Sequence, residues 1–550
     1  LNSFLVISFH TLKNFFQMKQ LNTLLLLLIA LVGTVSLSAQ AGRYRTKVFT
    51  GFSVQRNVTY ASNITVLRNP TIAPEDLKMD IYTPAGDVEK SRPVVIYFHT
   101  GSFLPPLING GITGARNDSS CVEFARRLTG LGYVVCVTSY RLGWNPAATG
   151  PAGQNIRTGT LLNAAYRGVQ DGRAAIRFIR KTVAADSNPY GIDPNRIVLW
   201  GQGTGGYIAL GAAYLDRFKE EIQITKFIDT DKLTAYVDTT LNGNPYGTTQ
   251  KPLNLPNHVA YSSSFNMAVN MGGAMGDSSW MEGKAGEPAL LGFHVVADPF
   301  APFGDGAVIV PTTREFVVSV SGTRSVVERA NNFKLNDKMA AAINDASFVN
   351  QKNKVISNAP LPFPAFSVAG KATTLSTNNM YPLVTPNFRI EAGPWEWWDT
   401  TTLKLVVAGT NLALGTNFDA KKLHADGLLT NPNMSKAKAM AYIDTMMAVF
   451  IPRAFLQLNL ATSTEDIIQE DVVKLKIGPN PVADRIYIQS AAEHKMQDIA
   501  LYSLDGKMVR GYANVGENSF ELLRGGLPAG TYVLQVRFDK GIVAKKLIFN

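Results

Sequence analysis

The stretch Arg196-Ile-Val-Leu-Trp-Gly-Gln-Gly-Thr-Gly-Gly206 decides how the rest of the chain is read. An apolar strand runs into a glycine-rich turn, and a helix of small residues, Tyr207-Ile-Ala-Leu-Gly-Ala-Ala-Tyr214, leaves it. Working outward, Pro93-Val-Val-Ile-Tyr-Phe98 is a continuous apolar run, the pattern of a strand buried on both faces. Leu77-Lys-Met-Asp-Ile-Tyr-Thr-Pro84 alternates and stops at a proline, as an edge strand does. A helix from Cys121 precedes the strand Val134-Val-Cys-Val-Thr138, and a second helix over Ala164–Ala185 precedes the turn stretch. Strands alternating with helices across short loops predict an α/β fold with a doubly wound, mostly parallel sheet.

The 550 residues allow one large domain and a small one, and 46% hydrophobic against 17% charged residues supports a sizeable core. The net charge of +11 comes from scattered Lys and Arg, which describes a basic surface and not a nucleic-acid groove. At the N-terminus, Met18-Lys19-Gln20, a run of leucines and the small-residue exit Ser36-Leu-Ser-Ala39-Gln40-Ala41 read as a secretory signal peptide over 1–41, with 1–17 upstream of a plausible start. No other stretch reaches membrane-spanning length, so no integral membrane segment is expected after cleavage. The two cysteines, Cys121 and Cys136, sit at one level of a helix–strand pair. An exported compartment permits a disulfide between them, and two buried free thiols are equally open.

The strand–turn–helix at 196–214 resembles the nucleophile elbow of the α/β-hydrolases, G-x-S-x-G, here Gly201-Gln202-Gly203-Thr204-Gly205. The serine position is Gly203. Several further stretches resemble secreted carboxylesterases. His99-Thr100-Gly101-Ser102-Phe103 is similar to their H-G-G-x-F oxyanion loop, with Thr100 for the first glycine. That resemblance implies Gly101, Ser102 and Thr204 as backbone donors and His99 as a loop-shaping residue. Tyr140-Arg141-Leu142-Gly143 belongs to the same pattern, and His294…Asp298 resembles the segment that supplies the triad acid, placing it at Asp298. The last strand is expected at Asn387-Phe-Arg-Ile-Glu391, after an insertion or cap over 305–385, and the helix Ser435–Leu458 closes a domain spanning 45–460.

After that strand the family places a histidine, but Gly393-Pro-Trp395-Glu-Trp397-Trp398-Asp399 has none; the next is His424. Two readings of the chemistry follow. In one, the acyl-transfer site is incomplete and the protein binds an ester-like or glycan-like ligand. In the other, a one-residue slip makes Thr204 the nucleophile with Asp298 and His424. Trp144, Trp280, Trp395, Trp397 and Trp398 follow predicted strand ends, where they either stack on a ligand or pack the cap. No cofactor is implied, and no spaced metal-ligand set is present; Asp277, Glu282, Asp298 and Asp305 are acids on loops.

Beyond a linker at 461–471, about seven short alternating runs over 472–550 predict a small β-sandwich. Pro479-Asn480-Pro481, Leu501-Tyr-Ser-Leu-Asp505-Gly506-Lys507, Leu527-Pro-Ala-Gly530 and Lys545-Lys546 together resemble the type A sorting domain of type IX secretion. The resemblance implies a Bacteroidetes-type bacterium, the type IX machinery as partner, and a secreted or cell-surface protein. A surface-display or adhesion role, with the hydrolase domain as scaffold only, is the third reading.

Overall fold

A computed structural model describes residues 42–67, 72–310, 313–340, 342, 366–368, 371–373, 378–383, 385, 389–460, 470–504, 508–538 and 541–550. The expected signal peptide, most of the linker and Asp505-Gly506-Lys507 lie outside the described residues. The chain divides into two compact units, Arg43–Leu460 and one that holds Ala461–Asn550.

The larger unit is built on eight strands: β1 (Phe52–Thr65), β2 (Ala73–Pro84), β3 (Arg92–Phe98), β4 (Val134–Thr138), β5 (Ile192–Gln202), β6 (Met267–Met271), β7 (Ala289–Val295) and β8 (Met380–Leu383). They lie in the order β1-β2-β4-β3-β5-β6-β7-β8. Only the β1–β2 and β2–β4 pairs are antiparallel; the others are parallel. Every residue of β3 is buried, as its unbroken apolar run requires when both faces of a parallel sheet are covered.

Helices α1 (Ser119–Leu131), α2 (Gly150–Ala184), α3 (Thr204–Tyr214), α4 (Thr400–Leu414), α5 (Ala420–Thr430) and α6 (Lys436–Gln457) follow in chain order. One face of the sheet packs on α2 and α3 through Ile176, Ile179 and Ile208 against Val94, Ile96 and Leu199. The other packs on α1 and α6 through Phe124, Leu128, Met446 and Phe450 against Val95, Tyr97 and Trp200. Among the described residues, α6 alone is long and apolar enough to cross a membrane; Ile443, Met446 and Phe450 are fully buried in that second core.

Three expectations are corrected. The helix expected at 164–185 begins fourteen residues earlier, at Gly150, where Pro151 suits the first turn of a helix. The last strand is Met380–Leu383, paired in parallel with β7, so the insertion ends before 380. Residues 389–391 carry no strand, and 387–388 lie outside the described residues. Pro382 is tolerated in β8 because that strand forms the sheet edge. The insertion contributes strands Asp305–Ile309 and Phe316–Gly322 and the helix Thr323–Asn332. Cys121 and Cys136 are both buried and free, because Cys136 points into the core on one sheet face while Cys121 sits in the core on the other.

In the C-terminal unit, Lys476–Gly478, Arg485–Gln489 and Ser519–Leu523 form one antiparallel sheet. Asp498–Ser503, Met508–Tyr512, Gly530–Phe538 and Gly541–Phe549 form a second. Alternation sends Ile486, Ile488, Leu501, Leu534 and Val536 into a shared core, as in a β-sandwich.

Candidate active site

β3 and β5 pair side by side with Phe98 opposite Gly201, so the loop from His99 and the turn at Gly203 leave the sheet together. Gly203 caps α3 with φ 54 and ψ −118, a backbone that L side chains rarely adopt. Its amide donates to the Met271 carbonyl at 2.8 Å. The strained position is therefore 203, the unshifted elbow register, and Thr204 is the first residue of the helix.

The space a side chain at 203 needs is already taken. A Cβ on Gly203 would lie 2.2 Å from Thr100 Oγ1 and 2.9 Å from Thr100 Cβ. Thr100 and Gly203 thus share one space across neighbouring strand ends.

Thr204 Oγ1 lies 2.9 Å from the Tyr140 hydroxyl. That phenol donates to the His99 carbonyl at 2.8 Å, which leaves the Thr204 hydroxyl as donor to Tyr140. Burial pushes the Tyr140 phenol well up, so it is no base at neutral pH. His99 is 4% exposed, stacks on Tyr140 at 4.8 Å between centroids and donates Nδ1–H to the Thr100 carbonyl at 2.6 Å. Burial brings its pKa down to about 4, so it stays neutral and shapes the loop.

The expected oxyanion donors remain available. The amides of Gly101, Ser102 and Thr204 have no hydrogen-bond partner among the described residues. Ser102 and Phe103 both adopt positive φ, 56 and 51, and the loop is tied down by Leu104 N–H to the Gly101 carbonyl and Gly143 N–H to the Phe103 carbonyl. Backbone strain of this kind persists where the surroundings hold it.

Asp298 follows β7. Its Oδ1 accepts from the amides of Phe300, 2.7 Å, and Ala301, 3.3 Å. Burial outweighs those bonds and pushes its pKa up to about 7. His294 Nε2 is 3.6 Å from Oδ2, too far for a hydrogen bond; it donates to the Ala301 carbonyl at 3.1 Å, and burial lowers its pKa to about 4. Asp298 thus has no hydrogen-bonded histidine among the described residues, and the nearby His294 is neutral. A Cβ on Gly272 would touch Asp298 Oδ2 at 3.7 Å and the Trp395 ring at 3.5 Å, so the loop after β8 brings a tryptophan, not a histidine, beside the acid. The Trp395 indole is 2% exposed, and its N–H is buried without a partner among the described residues.

His424 does not join Asp298. It sits on α5, where Nδ1 accepts from Trp398 Nε1 at 3.0 Å. The tryptophans are dispersed and form no single platform. Trp144 is buried and donates to the Arg157 carbonyl, Trp397 packs at the edge of the second core, and Trp398 belongs to the α4–α5 hairpin. Trp280 lines an apolar cavity of about 60 Å³ with Tyr207, Phe227 and Val320. Asp277 pairs with Lys226, and Glu282 with Arg217 and Lys284; no set of three His, Cys, Asp or Glu residues gathers to hold a metal ion among the described residues.

Sequence reasoning missed Glu396. Its Oε1 accepts from Gln202 Nε2, the residue before Gly203, at 2.5 Å, and Oε2 accepts from Thr113 Oγ1 at 3.0 Å. Burial, helped by the nearby Asp118 carboxylate, pushes its pKa up to about 8. Burial raises Asp118 to about 6. The one clue in the chain is a charge set inside the aromatic run Trp395-Glu396-Trp397.

This sheet order, with the strand–turn–helix at 201–206 and the loop after β3, is that of the α/β-hydrolase fold. Residues 79–249 match the BD-FAE family, and residues 476–550 match the secretion system C-terminal sorting domain. Human bile salt-activated lipase is 31% identical over 146 residues, 26% of this chain and 17% of that protein. Mouse carboxylesterase 3B is 32% identical over 142 residues, 25% of this chain and 20% of that protein. The chain thus spans about a fifth of these curated relatives. Among solved structures, Thermogutta terrifontis esterase 2 phosphorylated by paraoxon aligns at 18% identity and a TM-score of 0.27, over 46% of this chain and 74% of that one. A truncated carbohydrate esterase from gut microbiota aligns at 19% and 0.25, over 46% and 79%. The chain carries an esterase-like α/β-hydrolase domain followed by a type IX C-terminal sorting domain, the make-up of an exported protein.

Proposed function

We propose that this exported esterase-type protein binds an ester-like or glycan-like ligand without turning it over, its acyl-transfer site having been dismantled. The observation that carries this reading is the Thr100 hydroxyl standing 2.2 Å from the point where the nucleophile's Cβ would be. Acyl transfer needs a nucleophile, a base beside it and a group orienting that base. Glycine supplies no nucleophile, the Thr204 hydroxyl hydrogen-bonds a phenol and not a base, and Asp298 has no hydrogen-bonded histidine among the described residues. The free amides of Gly101, Ser102 and Thr204 still offer a place for a carbonyl oxygen.

A fluorophosphonate probe should leave the protein unlabelled, while a non-hydrolysed aryl ester should quench tryptophan fluorescence saturably. Labelling that disappears in Thr204→Val would instead establish the shifted nucleophile and defeat the proposal.

A further inference from the structure

Helices α4 and α5 form a hairpin on a small core of their own, made by Leu403, Val407 and Leu423 with Leu107 from the loop after β3. That core accounts for one side of α4. At 100° per residue, Leu405, Ala408 and Leu412 fall on the opposite side. There Leu405 is 71% and Leu412 88% exposed, and Leu429 on α5 is 74% exposed. A helix apolar on its solvent side offers a surface for a partner.

The charges on the hairpin indicate which one. Asp399 and Asp419 cap the N-termini of α4 and α5, and Asp426 is paired with Lys422. Lys404 and Lys421 have no ion-pair partner among the described residues. Exposed leucines with flanking unpaired lysines make a surface suited to an anionic interface. A second copy of the chain would bring the same lysines face to face in an isologous contact. The chain's net charge of +11 adds a long-range attraction to anionic surfaces.

We propose that the α4–α5 hairpin is an interfacial anchor that rests on an anionic bilayer surface. Leu405 and Leu412 enter the acyl boundary, and Lys404 and Lys421 lie among the headgroup phosphates. This assignment is independent of whether the hydrolase site turns over.

Flotation of the processed protein with vesicles tests it. Wild type should rise with phosphatidylcholine vesicles containing phosphatidylglycerol, and much less with phosphatidylcholine alone. Leu405→Ser/Leu412→Ser should lower partitioning at least about tenfold, since two leucine side chains no longer leave water. Lys404→Gln/Lys421→Gln should lower it by roughly thirtyfold and flatten its salt dependence. Val88→Ser, at an exposed valine elsewhere on the unit, should change nothing. All five substituted positions are exposed, and unchanged circular dichroism would show that the fold is kept. Wild type that stays down with anionic vesicles, or a leucine variant that floats as wild type does, overturns the proposal. A dimer that the leucine variant turns to monomer, with no vesicle binding, gives the face to a second copy and also overturns it.

Discussion

Placing a serine at position 203 is the most direct perturbation, and the geometry opposes it when made alone. In Gly203→Ser the new Cβ would lie 2.2 Å from Thr100 Oγ1, about 1 Å inside van der Waals contact. Forcing that overlap costs about 1–3 kcal/mol. A side chain at φ 54, ψ −118 costs about 1–3 kcal/mol more, whatever its neighbours. Thr100→Gly alone costs about 1 kcal/mol through chain entropy. In the double variant the overlap vanishes and the backbone term stays, so the two changes should couple by about 1–3 kcal/mol. Urea unfolding followed by tryptophan fluorescence, with Trp200 deep in the core, reads each corner of the cycle. Effects that add to within about 0.5 kcal/mol would refute the claim that the two positions share one space.

Further outcomes follow from the same site. Adding Trp395→His to Thr100→Gly/Gly203→Ser should raise fluorophosphonate labelling at least about tenfold over the double variant, because it sets a base beside Asp298. No gain would show that the loop after β8 does not occupy the histidine's place. Asp298 holds its proton to about pH 7 in the folded chain against 3.8 unfolded, so its contribution is intact below pH 4 and is lost as pH rises through 7. Asp298→Asn should therefore match wild type at pH 4 and exceed it by about 1–3 kcal/mol at pH 8, measured by denaturant unfolding; equal stability at both pH values would contradict the raised pKa. Thr204→Val removes the hydroxyl that donates to Tyr140 and should cost about 1 kcal/mol while leaving any background aryl-ester hydrolysis unchanged.

How far the chain could be read depended on whether the relevant contact was local. The elbow was legible because adjacent residues carry it: a buried strand, four glycines in six residues and a small-residue helix. Thr100 was visible as a departure from the esterase loop, but its fit against Gly203 joins positions 103 apart and needs coordinates. β8 was misplaced because Met380-Tyr-Pro-Leu383 is short and contains a proline, a signal that counts against a strand everywhere except at an edge. His424 was next along the chain after the empty histidine position, yet Trp398 claims it within the hairpin. Glu396 was overlooked because its one local mark is a charge inside an aromatic run, and the partners that hold it, Gln202 and Thr113, are distant in sequence.

The placement of the two thiols has a consequence for the journey out of the cell. With Cys121 and Cys136 on opposite sides of a closed wall of strands, neither sulfur can find the other without tearing that wall open. The polypeptide can fold in an oxidising space with no pairing to get right and no isomerase to correct it, and reductant should leave its melting point where it was.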